Sequence, residues 1–155
     1  MSLLRFLWRK PDFLIGPHDD PYMRRWWVIP RNKRFNVYLH HIRHDDDDRA
    51  LHDHPWWSVS FLLKGRVSEV HGDALRQTHR TARWLWPHYR SSTFAHRLFL
   101  PEGSSGAWTL FITGPVIRDW GFHCPNGWRP WRLFVDDRDS GQVGAGCGEH
   151  DESAS

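Results

Sequence analysis

An all-β fold, a sandwich or barrel of short strands, is what this sequence predicts, and three observations predict it. Phe35, Val37 and Leu39 alternate with Asn36, Tyr38 and His40, the period-two pattern of a strand with one buried face. Further strand-like runs recur at regular spacing, which signals a sandwich or barrel. The segments between them carry turn residues instead of helical periodicity.

Residues 1–25 read as an N-terminal arm, a short amphipathic helix or an irregular segment punctuated by Pro11, Pro17 and Pro21. The texture changes at Trp26, and residues 26–135 form the expected β domain. After the strand around Val37, strands are expected over 57–63, 66–70, 82–86, 95–100, 108–113, 118–123 and 131–135. Turn signals separate them: Lys64-Gly65, His71-Gly72-Asp73, Pro87-His88, the Gly- and Ser-rich 101–106, and Gly114-Pro115. Residues 136–155, acidic and rich in Gly and Ser, lack the apolar content to bury a core and are expected to be a disordered tail. No internal repeat is present.

At 155 residues the chain makes one domain with its own core. It has no apolar stretch near the ~18 residues that span a bilayer. Its first ten residues are too short in apolar run, and interrupted by Arg5, for a secretory signal. The expectation is a cytoplasmic protein without a membrane partner. Cys124 and Cys147 show no disulfide framework and no metal-ligand spacing to each other; Cys124 is expected to be a small buried thiol.

Charge is unevenly spread. The full chain carries a formal +3, while residues 136–155 hold six acids against the single base Arg138, so the body is strongly basic. A basic body with eleven Trp, many beside Arg, has the ingredients of single-strand nucleic-acid binding. Arg stems lying over Trp faces on a sheet explain the same composition, and this reading argues against a nucleic-acid partner.

The chemistry concentrates in Leu51-His52-Asp53-His54-Pro55-Trp56-Trp57. Histidines at i and i+2 of an extended segment point to one face. Imidazoles so placed reach one ion, and imidazole suits iron, nickel, copper and zinc.

His52-x-His54 followed by Gly65 resembles the first motif of the cupin superfamily, with Ser58 standing where that pattern carries its glutamate. The second cupin motif is matched in outline: Trp86-Pro87 supplies its turn and His96 its histidine, while Leu100 replaces its terminal asparagine. The resemblance implies a cupin-type double-stranded β-helix, a jelly-roll barrel, in which His52, His54 and His96 face one divalent metal. It also points to the three-histidine thiol dioxygenases, since 51–55 with Val59, Leu62, Leu63 and Gly65, and later Leu110-Phe111-Ile112-Thr113-Gly114-Pro115, are similar to segments of those enzymes. That likeness implies iron(II), with manganese, nickel or zinc as alternatives, and oxidation of a small thiol or enolisable substrate. A non-enzymatic cupin that binds a small ligand or partner, with a structural metal or none, is the competing reading.

His123 is an alternative third ligand or a pocket acid/base. His40 and His41 lie on opposite faces of one strand, so at most one faces the pocket. Tyr38, Arg97, Trp108 and Arg118 are further candidates to line it, with Tyr38, His123 and Arg118 as the candidate catalytic residues. Asp45 to Asp48 lack the Gly and Glu of an EF-hand loop and read as a solvated loop, one of whose acids can hydrogen-bond a ligand histidine. Trp26 and Trp27 on an exposed strand suit a homodimer formed by edge pairing.

Overall fold

The computed structural model describes residues 9–46, 50–72 and 77–148. They form two antiparallel six-stranded sheets facing one another. The first sheet contains β1 (Phe13–Ile15), β2 (Met23–Trp27), β3 (Asn36–Ile42), β5 (Ser58–Gly65), β8 (Pro87–Arg90) and β10 (Ala107–Thr113), in the order β1-β2-β3-β10-β5-β8. The second contains β4 (Leu51–His52), β6 (Ser68–Gly72), β7 (Gln77–Thr81), β9 (His96–Phe99), β11 (Gly121–Cys124) and β12 (Gly127–Pro130), in the order β12-β11-β4-β9-β6-β7. A single helical turn, α1 (Trp131–Phe134), follows β12. The expected all-β class holds, as a two-sheet sandwich with separate sheets instead of one closed barrel.

Strand alternation decides what faces inward. In β2, Met23, Arg25 and Trp27 line the space between the sheets, and register carries them opposite Ile42, His40 and Tyr38 of β3. One end of this space is filled by an apolar cluster of Tyr22, Met23, Ile42, Leu62, Val67 and Ala107. Burying such side chains contributes about 1.5–3 kcal/mol for each large one. Beside this cluster, and partly lined by it, the space between the sheets holds a pocket of about 1010 Å³. Two motif glycines have structural reasons. Gly65 sits at φ +84, with Gly106 so near that a Cβ would collide with it. Gly114 lies against the Trp57 indole and has no room for one.

Several expectations are corrected. The arm's residues 9–25 contribute β1 and most of β2, so the sheet begins well before Trp26; residues 1–8 lie outside the described part. Because β1 pairs with β2, the strand bearing Trp26 and Trp27 is not an edge. Trp26 is buried against Leu39 and Trp108, which removes the basis for edge pairing there. Residues 82–86 form a turn with Leu85 at φ +52, and 131–135 form α1 in place of a strand.

The acidic segment is also not a free tail as far as residue 148. Val135 bridges Val143, Gly16 N–H donates to the Gly141 carbonyl at 2.8 Å, and the Gln142 amide reaches the Gly16 carbonyl. These contacts satisfy backbone groups of both segments, which is what a composition argument misses. Cys124 and Cys147 form a disulfide, overturning the expectation of a buried free thiol. Disulfides persist in oxidising surroundings, so cysteine usage no longer supports a cytoplasmic assignment. Among the described residues, no helix is long and apolar enough to cross a membrane.

The disulfide closes a loop across a sequence separation of 23 residues. For a loop of that size, the lost chain entropy is worth about 3 kcal/mol. Cys147→Ser is therefore expected to lower unfolding free energy by about that amount in urea titrations, and an unchanged midpoint refutes the assignment.

Candidate metal centre

Three elements deliver the histidines. His52 ends β4 and pairs in register with His96 of β9, so both rings face inward. His54 lies two residues further along the same extended segment and regains that face. One ring nitrogen from each of His52, His54 and His96 lies within 4.8 Å of the others. His54 Nε2 and His96 Nε2 stand 3.1 Å apart.

Imidazole nitrogens bind such ions at about 2.0–2.1 Å, which places two ligands on one ion about 3–3.4 Å apart. The observed separation fits. Metal ligation also requires neutral rings. Burial, followed by the neighbouring His52 and His96, pushes His54 well below its ordinary value. His96 is lowered to about 3, again chiefly by burial.

Carboxylates stand behind two of the rings. His96 Nδ1–H donates to Glu69 Oε2 at 3.1 Å, which leaves the Nε2 lone pair facing the cluster. Glu69 is 2 % exposed and also accepts from Arg90 Nε at 2.8 Å and Arg80 Nε at 2.6 Å. Burial alone raises this carboxyl, but the hydrogen bond from His96 and the charges of Arg90 and Arg80 outweigh it and hold the carboxyl well below its usual range. His52 Nδ1 lies 3.7 Å from the buried carboxylate of Asp46. One acid of the 45–48 run thus lies near a ligand histidine, at ion-pair and not hydrogen-bond distance, while Asp47 and Asp48 lie outside the described residues. Trp56 stacks on His54 at 4.5 Å, and Trp120 closes in at 6.1 Å.

The other candidates fall elsewhere. Tyr38 and His40 line the pocket. His41 faces out and stacks on Trp108 at 4.2 Å, so the two neighbouring histidines separate as expected. Trp108 and Arg97 are not among the pocket-lining residues. His123 and Arg118 also point away from the pocket, because both engage Asp53, at 3.3 Å and 3.0 Å. His123 therefore does not join the histidine cluster, and Arg118 braces the backbone through the Ser92 carbonyl at 2.9 Å.

Sequence reasoning missed Glu69, Arg90 and Arg25. Glu69 carried one legible signal, an acid sharing a strand face with Val67.

No protein-family model matches this sequence, and no curated protein matches it. Solved structures match in fold. A structure of iron(II) HppE in complex with substrate has a TM-score of 0.56 at 14% identity, covering 68% of this chain and 56% of that one. Hydroxypropylphosphonic acid epoxidase from S. wedmorenis gives 0.53 at 14%, covering 68% and 57%. Cobalt(II) HppE with substrate gives 0.50 at 16%, covering 68% and 56%. The chain spans just over half the length of these structures. At such identity the likeness establishes architecture alone: the fold is a cupin-like β-sandwich.

Proposed function

We propose that this chain is a metal-binding cupin in which His52, His54 and His96 hold one divalent metal, iron(II), for oxidation of a small molecule in the pocket. The observation that carries the reading is the convergence of three imidazoles at ligand spacing, with His54 Nε2 and His96 Nε2 3.1 Å apart. A bound metal would supply Lewis acidity and redox chemistry at coordination positions left open by three protein ligands.

The chain's own residues do the rest. Glu69 holds the His96 tautomer, and Asp46 stands behind His52. Trp56 and Trp120 wall the cluster and keep water from its apolar side. With Ser58 in place of the cupin glutamate, the ligand set carries no charge to offset that of the metal. Oxidation, and iron over manganese, nickel or zinc, rest on the resemblance of 51–65 and 110–115 to three-histidine thiol dioxygenases. The iron(II) and cobalt(II) in the similar HppE structures support a divalent ion.

Protein made without a histidine tag is expected to carry one divalent ion per chain by elemental analysis. His52→Ala and His54→Ala each reduce it to background. Full metal occupancy in both variants sinks the reading. Oxygen uptake by the iron-loaded protein, tested with thiols and 1,3-dicarbonyls, separates an oxidising enzyme from a binding module.

A further inference from the structure

The pocket holds a second polar feature, across from the histidines on the opposite sheet. Arg25 of β2 projects into it beside His40 of β3. Arg25 Nε donates to His40 Nε2 at 2.9 Å. The His40 ring is 3 % exposed and packed on Phe111 at 4.9 Å, and Tyr38 lies beneath the guanidinium at 5.0 Å. Burial, then the charge of Arg25, keeps His40 far below its ordinary value, so it serves as a neutral acceptor.

Among the described residues, no carboxylate pairs with Arg25, and its two terminal nitrogens have no hydrogen-bond partner. Glu69 is saturated by Arg80, Arg90 and His96. Asp46 stands behind His52. Arg31 is exposed and lies over Trp27 at 5.5 Å, at the rim. Among the described residues, Arg25 is therefore a pocket cation whose charge no carboxylate answers. Burying an unanswered charge is costly. With Nε tied to His40, the guanidinium presents its end-on pair of N–H groups to the pocket, a fork that matches a carboxylate in shape and charge. One wall links the two features through ring contacts: His54 on Trp56, Trp56 against Phe111 at 5.6 Å, and Phe111 on His40.

We infer that Arg25, positioned by His40, is a carboxylate-binding subsite, and that the pocket takes a small carboxylic acid whose far end lies at the histidine cluster. That this acid is a substrate rests on the metal reading. Binding at Arg25 does not, because it needs no metal.

The test uses the full-length, metal-stripped protein at pH 7.5, where His54 and His96 are neutral, with phenylacetate and phenylacetamide as probes followed by calorimetry. Wild type is expected to bind the acid at least about tenfold more tightly than the amide, the worth of one charge-assisted pair. Arg25→Met abolishes the preference with no loss of melting temperature, since it removes an unanswered charge. Arg25→Lys keeps part of the preference, and His40→Ala weakens it by releasing Nε. Equal binding of acid and amide by wild type overturns the proposal, as does a preference that survives Arg25→Met. Tighter binding of phenylphosphonate than of phenylacetate overturns the carboxylate class. Acid selectivity in a protein that takes up no metal sinks the metal reading alone.

Discussion

Glu69→Ala is expected to cost about 3–5 kcal/mol of stability, measured by chemical denaturation, because it strands a buried charge. Arg90 is 6 % exposed, and its Nε lies 2.8 Å from the Glu69 carboxylate. Its remaining bonds, to Ser60 Oγ at 2.8 Å and to the His88 carbonyl at 3.3 Å, are to neutral groups and do not balance it. Arg80 loses the same partner but reaches water, its side chain being 36% exposed. The substitution also frees His96 Nδ1, so the ring can turn and exchange tautomers. Metal affinity is expected to fall about 10–100-fold, as when other carboxylates behind ligand histidines are removed.

These two effects can be separated. In Glu69→Leu/Arg90→Met both charges leave together and apolar groups fill the space, so most of the stability returns. Metal affinity stays low, because nothing holds His96. Competition with a chromophoric chelator reads the second quantity independently of unfolding. If the double variant regains affinity along with stability, Glu69 acts only through the fold, and its role behind His96 is wrong.

The legibility of this fold follows how local each signal was. The alternation of β3 marks a strand, but its phase is the reverse of the one the apolar residues suggest: Tyr38, His40 and Ile42 face the pocket, while Leu39 packs outward on Trp26 and Trp108 and Phe35 is 48% exposed. The β2 sequence Met23-Arg24-Arg25-Trp26-Trp27 does not alternate, because both of its faces are covered. Met23 joins the core between the sheets, while Trp26 packs outward on Trp108. Period two disappears when both faces are buried, so the sequence pattern hides the strands that precede Trp26.

Residues 82–86 misled in the opposite sense. Their alternation belongs to a turn that exposes Trp84 and Trp86, at 70% and 56%. Residues 131–135 form the short apolar run that strand and helix share. His52 and His54 were legible because spacing alone puts them on one face, and His96 through its motif. Glu69, Arg90 and Arg25 were not, because an isolated charge on a strand reads as a solvent-facing residue until the opposite sheet is placed. The disulfide was invisible for the same reason: only the folded chain brings the Cys124 and Cys147 Cα atoms to 5.6 Å.

Asp53, between the two histidines, carries the second large expectation. It is 2 % exposed, and alternation turns it away from the pocket to the outer face of its sheet. Its Oδ1 accepts the Gly121 N–H at 2.9 Å, and its Oδ2 accepts Trp128 Nε1–H at 3.1 Å and Arg118 at 3.0 Å. Gly121 bonds this segment through both of its backbone groups, because the Asp53 N–H also donates to the Gly121 carbonyl at 3.0 Å. Asp53→Ala orphans the Gly121 N–H and releases Arg118 from the turn that holds the His54 carbonyl. One buried unpaired donor costs about 1–3 kcal/mol, and the lost ion pair with partly exposed Arg118 adds about 1 kcal/mol at most. A loss of about 2–4 kcal/mol is expected. Asp53→Asn keeps an oxygen for Gly121 but sets its amide N–H groups against those of Trp128 and Arg118, so it should fall between wild type and alanine. Because Asp53 touches no histidine of the cluster, metal-loaded Asp53→Asn should keep the wild-type cobalt(II) absorption spectrum, whereas Glu69→Gln should change it. An altered spectrum in Asp53→Asn means that the outer face of the strand sets the position of His54, and that the cluster depends on both sides of its sheet.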